Sequence, residues 1–190
     1  KAWKKKLIGM LPDRKVSLCV DLACGTGDLT ALLLKKYPGS DVLGIDLTPD
    51  MIERAQKAVV GPRVKFCVGD MAQTGLTNKS ADIVTGGYAL RNAPDLHQAL
   101  REIYRILKPG GTAAFLDFSK PANKPGQLFS YWLLKTWGAL WGWIFHRNAE
   151  VYMYIAESLK RFPDRRKLKF FLKDCGFTRI ETKLFYFGLI

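Results

Sequence analysis

A glycine-bearing loop near the start of the chain has the clearest chemical signature. Residues 21–28 read DLACGTGD. Gly25 and Gly27 permit positive φ angles and allow the backbone to approach a ligand closely. The amides at the start of the next helix favour a negative group. A Gly-x-Gly pair alone is a weak signal, so its neighbours decide how it is interpreted.

Acidic residues follow three predicted strands around this loop. Asp21 ends the first strand beneath the loop, where it can orient a cationic amino group. Asp46 ends the second strand, twenty-one residues after Gly25, where an acid accepts hydrogen bonds from ribose hydroxyls. Asp70 ends the third strand and can accept from an adenine amine. A dinucleotide site would have a third glycine where this chain has Thr30, so the pattern favours a cationic amino-acid nucleoside over a pyrophosphate.

The elements that must position these residues alternate along the first two-thirds of the chain. Strands are predicted from apolar, β-rich runs at residues 16–21, 42–46, 64–68, 83–85 and 112–118. Helices are predicted at residues 29–36, 51–59 and 96–107. This alternation predicts βαβ units and a parallel sheet with helices on both faces. Later segments predict two helices and two more strands, at residues 151–159, 165–175, 179–184 and 186–190.

Length and composition predict one domain over residues 1–190. The cysteines are far apart and form no C-x-x-C pair, so they indicate neither a zinc site nor a disulfide framework, and we expect no metal. The N-terminal residues do not resemble a secretory signal. The net charge of +13, concentrated at both ends of the chain, is compatible with nucleic acid, an anionic membrane surface or an acidic substrate.

Seven segments run in order across nearly the whole chain: VDLACGTGDLT at 20–30, LGIDLTPDMIERA at 43–55, VGDM at 68–71, YALRN at 88–92, LKPGG at 107–111, LDFSKP at 116–121 and YIAESL at 154–159. Together they resemble class I S-adenosylmethionine-dependent methyltransferases, and more narrowly the ubiquinone/menaquinone C-methyltransferase (UbiE-like) family. The glycine loop and LKPGG are shared by many methyltransferases. ALRN, DFSKP and YIAES are much more specific to the quinone family.

The resemblance implies a Rossmann-like α/β fold with a mostly parallel seven-stranded sheet, whose last strand we expect to be incomplete here. It implies S-adenosylmethionine as methyl donor and C-methylation of a reduced prenylated quinol in menaquinone, phylloquinone or ubiquinone biosynthesis. It also implies helical residues before Trp3, which we expect this chain to lack. With the loop residues included, the expected donor site comprises Asp21, Gly25, Thr26, Gly27, Asp46, Leu47, Asp70, Met71, Gly87 and Tyr88.

Methyl transfer to a ring carbon requires the nucleophile to be held in line with the departing sulfur. The quinol must also lose a proton, so the site needs a proton acceptor and a positive group. We assign Arg91 to phenolate stabilisation or to orienting a basic water, and Asn92 to positioning a ring oxygen. Asp117 is a second candidate acceptor. The alternatives are that Arg91 pairs with Asp95 and that Asp117 caps the following turn.

An aromatic-rich stretch at residues 128–145 lies within an insertion at about 121–160 that we expect to cover the substrate side. Lys135 and two glycines interrupt the stretch, which favours an interfacial or substrate-covering helix over a membrane span. Packing of the rings on the sheet is the alternative. With the basic ends, the stretch predicts peripheral membrane contact, in the cytoplasm or an equivalent organelle compartment, and loading of a lipophilic prenylated quinol.

Three other functions are compatible with the sequence: methylation of another small molecule, methylation of RNA, and donor binding without turnover. The basic residues are not interleaved with a single-strand stacking motif, so we do not expect nucleic acid as a partner. The presence of Arg91 and Asn92 argues against loss of turnover. A homodimer is left open.

Overall fold

The structure is a computed structural model that describes residues 2–120, 126 and 157–185. The aromatic stretch at 128–145 and most of the predicted insertion lie outside these residues. The chain divides into two compact units, Lys1–Asp117 and Phe118–Ile190. The expectation of a single domain stays a prediction. Among the described residues, no helix is both long enough and apolar enough to cross a membrane.

The first unit alternates strands and helices, as its sequence predicts. Its strands are β1 Leu18–Leu22, β2 Asp41–Asp46, β3 Val64–Val68, β4 Ala81–Gly87 and β5 Leu107–Leu116. Its helices are α1 Ala2–Gly9, α2 Asp28–Lys36, α3 Pro49–Ala58 and α4 Leu96–Ile106, and a 3₁₀ turn covers Leu90–Asn92. In the second unit, residues 157–161 are helical and α5 spans Arg165–Asp174.

The five strands form one parallel sheet in the order β3-β2-β1-β4-β5. The chain runs outward from β1 to β3 and then returns to the other side of β1. Right-handed crossovers on the two sides of β1 place α2 and α3 on one face and α4 on the other. The Rossmann-like α/β prediction is confirmed. Ligands bind such sheets beyond the carboxyl ends of the strands where the order switches, and the glycine loop follows β1 at that point.

The centre of the sheet is closed to solvent on both faces. Val20 in β1 and Val84 in β4 have no exposed surface, in keeping with central parallel strands covered by helices. Helix α4 presents Leu100, Ile103 and Ile106 to the core at helical spacing. Burial of each such side chain contributes about 1.5–3 kcal/mol. The carboxyl ends of β1 and β4 are thus fixed by packing before any ligand binds.

Strand β5 begins earlier than predicted. The sequence predicts a turn at 108–111 and a strand from 112, but the strand starts at Leu107 and contains an irregularity. Ala81 pairs with Leu107, whereas Ile83 pairs with Thr112. The extra residues bulge from the ladder with Gly110 at φ 75°, a conformation that glycine adopts readily. Pairing then continues in register to Leu116.

The predicted strand at residues 179–184 is wrong, because residues 177–185 form neither helix nor strand. An extended segment becomes a strand only when a neighbouring strand pairs with its backbone. No strand of the described residues pairs with this segment. The further strand predicted at 186–190 lies outside the described residues. The described sheet therefore contains five of the seven strands expected.

Candidate active site

The glycine loop is fastened to the end of β2. The Cys24 amide donates to the Ile45 carbonyl at 3.0 Å, and the Gly25 amide donates to Asp46 Oδ2 at 2.8 Å. Asp46 Oδ1 accepts the Thr48 amide at 3.0 Å, at the start of α3. Asp46 thus fixes the loop and the next helix together. A carboxylate has about four lone-pair sites, so it can still accept from a ligand hydroxyl.

The two loop glycines serve different purposes. Gly25 has φ 55°, and a Cβ built there would meet nothing within 4 Å. Gly27 has φ 83°, but a Cβ there would lie 3.0 Å from Val59 Cγ2. Gly27 is therefore needed for packing at the start of α2. The space beside Gly25 is open, as the close approach of a nucleoside requires, so the loop fits the expected donor.

Asp21 lies beneath the loop with no exposed surface. Its Oδ2 accepts from the Thr30 hydroxyl at 2.7 Å, and its Oδ1 accepts from the Thr85 hydroxyl at 2.9 Å. Burial raises the pKa of Asp21 to about 6, although both hydroxyls and the charge of Lys4 act to lower it. Because Asp21 is fully buried, a ligand above the loop would meet its charge through the loop rather than by direct contact.

The remaining predicted donor residues surround the loop at the ends of β1, β2 and β3. Thr26 and Asp70 are exposed, and the Leu47 side chain is 66% exposed immediately after β2. Met71 is buried. Asp70 Oδ1 accepts the Ala72 amide at 2.8 Å, which shapes the turn after β3. Of these positions, Thr26, Leu47 and Asp70 are open to solvent, whereas Met71 is not.

Tyr88 is held in an unusual conformation just beyond β4. Its φ is 62°, a left-handed value that is strained for a non-glycine residue. Its amide donates to the Leu116 carbonyl at 2.6 Å, and its carbonyl accepts from Asn92 Nδ2 at 2.9 Å. Burial raises the pKa of the Tyr88 hydroxyl, and the negative charge of Asp117 raises it further. The phenol therefore stays protonated at neutral pH.

Arg91 and Asp117 form a buried ion pair beside Tyr88. The Arg91 amide donates to Asp117 Oδ2 at 2.9 Å, and Arg91 Nε donates to Oδ1 at 3.3 Å. The two side chains are 4% and 9% exposed. Arg91 thus pairs with Asp117 rather than with Asp95, whose Oδ1 accepts the Gln98 amide at 3.0 Å as the N-cap of α4. A charge removed from this pair would leave its partner buried and uncompensated.

Several residues of the site were not identified from the sequence. Thr30 and Thr85 hold Asp21, and only Thr30 gave a signal, since it replaces the third glycine of a dinucleotide loop. Lys4 Nζ lies 2.8 Å from Asp28 Oδ2 at the start of α2. It belongs to a run of three lysines, and nothing in that run indicates which one turns inward.

A family model described as the ubiE/COQ5 methyltransferase family matches residues 1–190, which is the entire chain. The chain belongs to this family. It is accordingly an S-adenosylmethionine-dependent methyltransferase.

Similar proteins carry a name that agrees with the family. A demethylmenaquinone methyltransferase of Lactobacillus johnsonii is 36% identical over 96% of this chain and 77% of its own length. A demethylmenaquinone methyltransferase of Staphylococcus aureus is 32% identical over 100% of this chain and 79% of its own length.

Solved structures share the fold at lower identity. A Bacillus halodurans protein solved as a candidate methyltransferase superposes with a TM-score of 0.74 at 22% identity, covering 95% of this chain and 71% of that chain. Phosphoethanolamine N-methyltransferase 2 of Haemonchus contortus, solved with S-adenosyl-L-methionine, superposes with a TM-score of 0.72 at 18% identity. The match covers 95% of this chain and 37% of that one. These matches show the Rossmann-like methyltransferase fold.

Proposed function

We propose that this family member methylates a ring carbon of a reduced, prenylated quinol. A demethylated naphthoquinol of menaquinone biosynthesis is the first acceptor to test, and the phylloquinone and ubiquinone precursors are related acceptors. The names of the similar proteins support the naphthoquinol. The observation that carries the proposal is the buried Arg91–Asp117 pair, which lies beyond the ends of β4 and β5.

Residues at the carboxyl ends of β1 to β4 would hold the donor. Bound S-adenosylmethionine supplies an electrophilic methyl group on a sulfonium sulfur. Gly25 admits the nucleoside, and Asp46 accepts from its ribose hydroxyls. Leu47 offers an apolar surface to the adenine. The other residues assigned to the donor are Asp21, Thr26, Gly27, Asp70, Met71, Gly87 and Tyr88.

Arg91 would act on the acceptor as its ring becomes a nucleophile. A quinol carbon attacks only when a neighbouring hydroxyl has lost its proton, and the resulting phenolate needs a positive partner. Arg91 keeps its charge at any physiological pH, so it stabilises the phenolate and is not itself the base. The proton passes to a water beside Arg91 or to Asp117.

Asp117 and Asn92 would position this group. Asp117 binds both the backbone amide and Nε of Arg91, which restricts the side chain before substrate arrives. Asn92 holds the strained backbone of Tyr88 through its Nδ2, and we assign its side-chain amide to positioning a ring oxygen. A low-dielectric setting strengthens each of these contacts, because both members of the ion pair are buried.

We also propose that helix α5 brings the enzyme to an anionic membrane surface, where a prenylated quinol resides. Cations cover this helix, at Arg165, Arg166, Lys167, Lys169 and Lys173. Phe170 stands among them with 65% of its surface exposed. Basic residues with an exposed aromatic ring are typical of helices that lie on a membrane surface.

Labelled donor and a panel of acceptors test the reaction. The full chain is incubated with methyl-labelled S-adenosylmethionine and with demethylated naphthoquinol, its oxidised quinone, and RNA. We expect label in the reduced quinol and none in the quinone, because only the quinol can form the phenolate that activates the carbon. Equal labelling of quinone and quinol, or labelling of RNA alone, would contradict the proposal.

A further inference from the structure

Lys4, the first residue of the lysine run 4–6, turns toward the site. Its side chain is 25% exposed, whereas Lys5 and Lys6 are exposed residues of the same helix. Lys4 Nζ lies 2.8 Å from Asp28 Oδ2, in the first turn of α2. Its Cε lies 3.8 Å from the position that a Cβ on Gly87 would take. Helix α1 thus places a cation over the carboxyl end of β4.

This cation faces two acids at the carboxyl edge of the sheet. Its charge acts on the buried Asp21, whose pKa it helps to lower against the effect of burial. Its contact with Asp28 is a partly exposed pair, and such pairs contribute little to stability. Asp28 accepts one of the three N–H donors of the ammonium, which holds the group in place with donors still available.

The strand order gives the direction in which a bound donor lies. Asp70 follows β3, Asp46 ends β2, the glycine loop follows β1, and Gly87 ends β4. With adenine near Asp70 and ribose at Asp46, the amino-acid end of the donor falls at β4. From β3 to β4 is three strand spacings, about 14 Å, which an extended adenosine joined to an amino acid can span.

We propose that Lys4 binds the carboxylate of the donor's amino-acid end, while the buried Asp21 acts on the neighbouring ammonium. The inference rests on the donor site described above. Asp28 repels the donor carboxylate, so the carboxylate meets Lys4 from the side of Gly87, where the lysine side chain already lies. Lys4 is then a binding residue for one end of the donor and takes no part in moving the methyl group.

Two ligands that differ only in the carboxylate test this assignment. The dissociation constants of S-adenosylmethionine and of its decarboxylated analogue are measured by calorimetry for the wild-type chain, Lys4→Gln and Lys4→Arg. We expect Lys4→Gln to weaken donor binding by about ten- to a hundredfold, which corresponds to the loss of one charge-assisted hydrogen bond. The analogue should bind the variant within about twofold of wild type, and Lys4→Arg should retain most of the donor affinity.

Lys5→Gln on the same helix is the control, since it removes the same charge from an exposed position. It should change neither constant. An equal loss of affinity for both ligands in Lys4→Gln, or no loss of affinity for either ligand, overturns the assignment of Lys4. If the wild-type chain binds neither ligand, the proposed donor site is overturned as well. If the donor binds equally well with and without Lys4, only the assignment of Lys4 fails and the proposed function stands.

Discussion

The carboxyl group of Asp21 is held inside the sheet by hydroxyl groups from two different elements. Thr30 comes from α2 and Thr85 from β4, and each donates to one oxygen. Burial removes the carboxylate from water, and these two hydrogen bonds compensate only in part, so the pKa of Asp21 is raised from 3.8 to about 6. The chain therefore keeps a carboxylate beneath the donor loop at a cost in stability that depends on pH.

Asp21→Asn should change how stability depends on pH. Because the folded-state pKa lies above the unfolded value, the folded protein binds the proton more tightly. Wild-type stability from this group then falls as pH rises from about 4 to about 6, by about 3 kcal/mol, and is constant above that. The asparagine variant lacks this loss. Urea unfolding of both proteins across this range measures the difference.

Carboxyl groups elsewhere in the chain also make stability depend on pH, so the wild-type curve alone is insufficient. The pKa of Glu102 is lowered, despite its partial burial, by hydrogen bonds from Arg105 and Thr74. That group loses its stabilising effect as pH falls, opposite to Asp21. Subtracting the unfolding free energy of Asp21→Asn from that of wild type at each pH removes the contribution of these other groups. Parallel curves for the two proteins would show that Asp21 does not titrate as described.

At the residue level, the sequence indicated which residues belong to the candidate site better than it indicated which residues they contact. Asp46 and Gly25 were both predicted as site residues, although the hydrogen bond between them, across 21 residues, was not predicted. The bond between Thr85 and Asp21 joins residues 64 apart, and the pair of Arg91 and Asp117 joins residues 26 apart. Such contacts depend on strand register, which the sequence pattern does not specify.

The positive charges in the first turn of helix α5 lie where they oppose the stability of the helix. Asp164 caps it by accepting the Arg166 and Lys167 amides, both at 2.9 Å. Yet its first turn holds three cations and no acid, although the positive end of a helix dipole disfavours cations there. Helix stability does not account for this placement. The proposed binding to an anionic surface would account for it, because each cation near such a surface contributes about 1 kcal/mol of attraction.

Vesicle flotation tests the role of α5. The full chain should float with vesicles containing phosphatidylglycerol at low salt, and less at high salt, because screening weakens the attraction. A Lys167→Glu, Lys169→Glu variant should partition at least about tenfold less. Lys35→Glu with Lys65→Glu makes the same change in net charge at exposed positions of the first unit. Equal partitioning of the two double variants would contradict the proposal.

At the level of elements, the sequence predicted the first four strands and α2 to α4 to within about two residues. Alternating apolar runs and clear helix ends made this possible. The start of β5 was missed because its bulge uses the residues of a turn, Pro109 and the two glycines that follow it. The strand predicted at 179–184 was wrong because a strand-like sequence pattern does not supply the neighbouring strand that must pair with it.

The residues proposed for the donor and those proposed for the acceptor lie along different parts of one sheet. Most of the residues proposed for the donor lie at the ends of β1, β2 and β3, on one side of the point where the strand order switches. Arg91, Asn92 and Asp117 lie beyond β4 and β5, on the other side. Gly87 and Tyr88 stand between the two groups. Changes on the acceptor side should therefore alter turnover and leave donor affinity unchanged.

Arg91→Ala gives the most direct test of this separation. Turnover of demethylated naphthoquinol with labelled donor, and the donor dissociation constant, are measured on the wild-type chain and the variant. We expect turnover to fall by about a hundredfold or more, as when a group that stabilises developing negative charge is removed. Donor affinity should stay within about twofold of wild type. Wild-type turnover in Arg91→Ala would contradict the account.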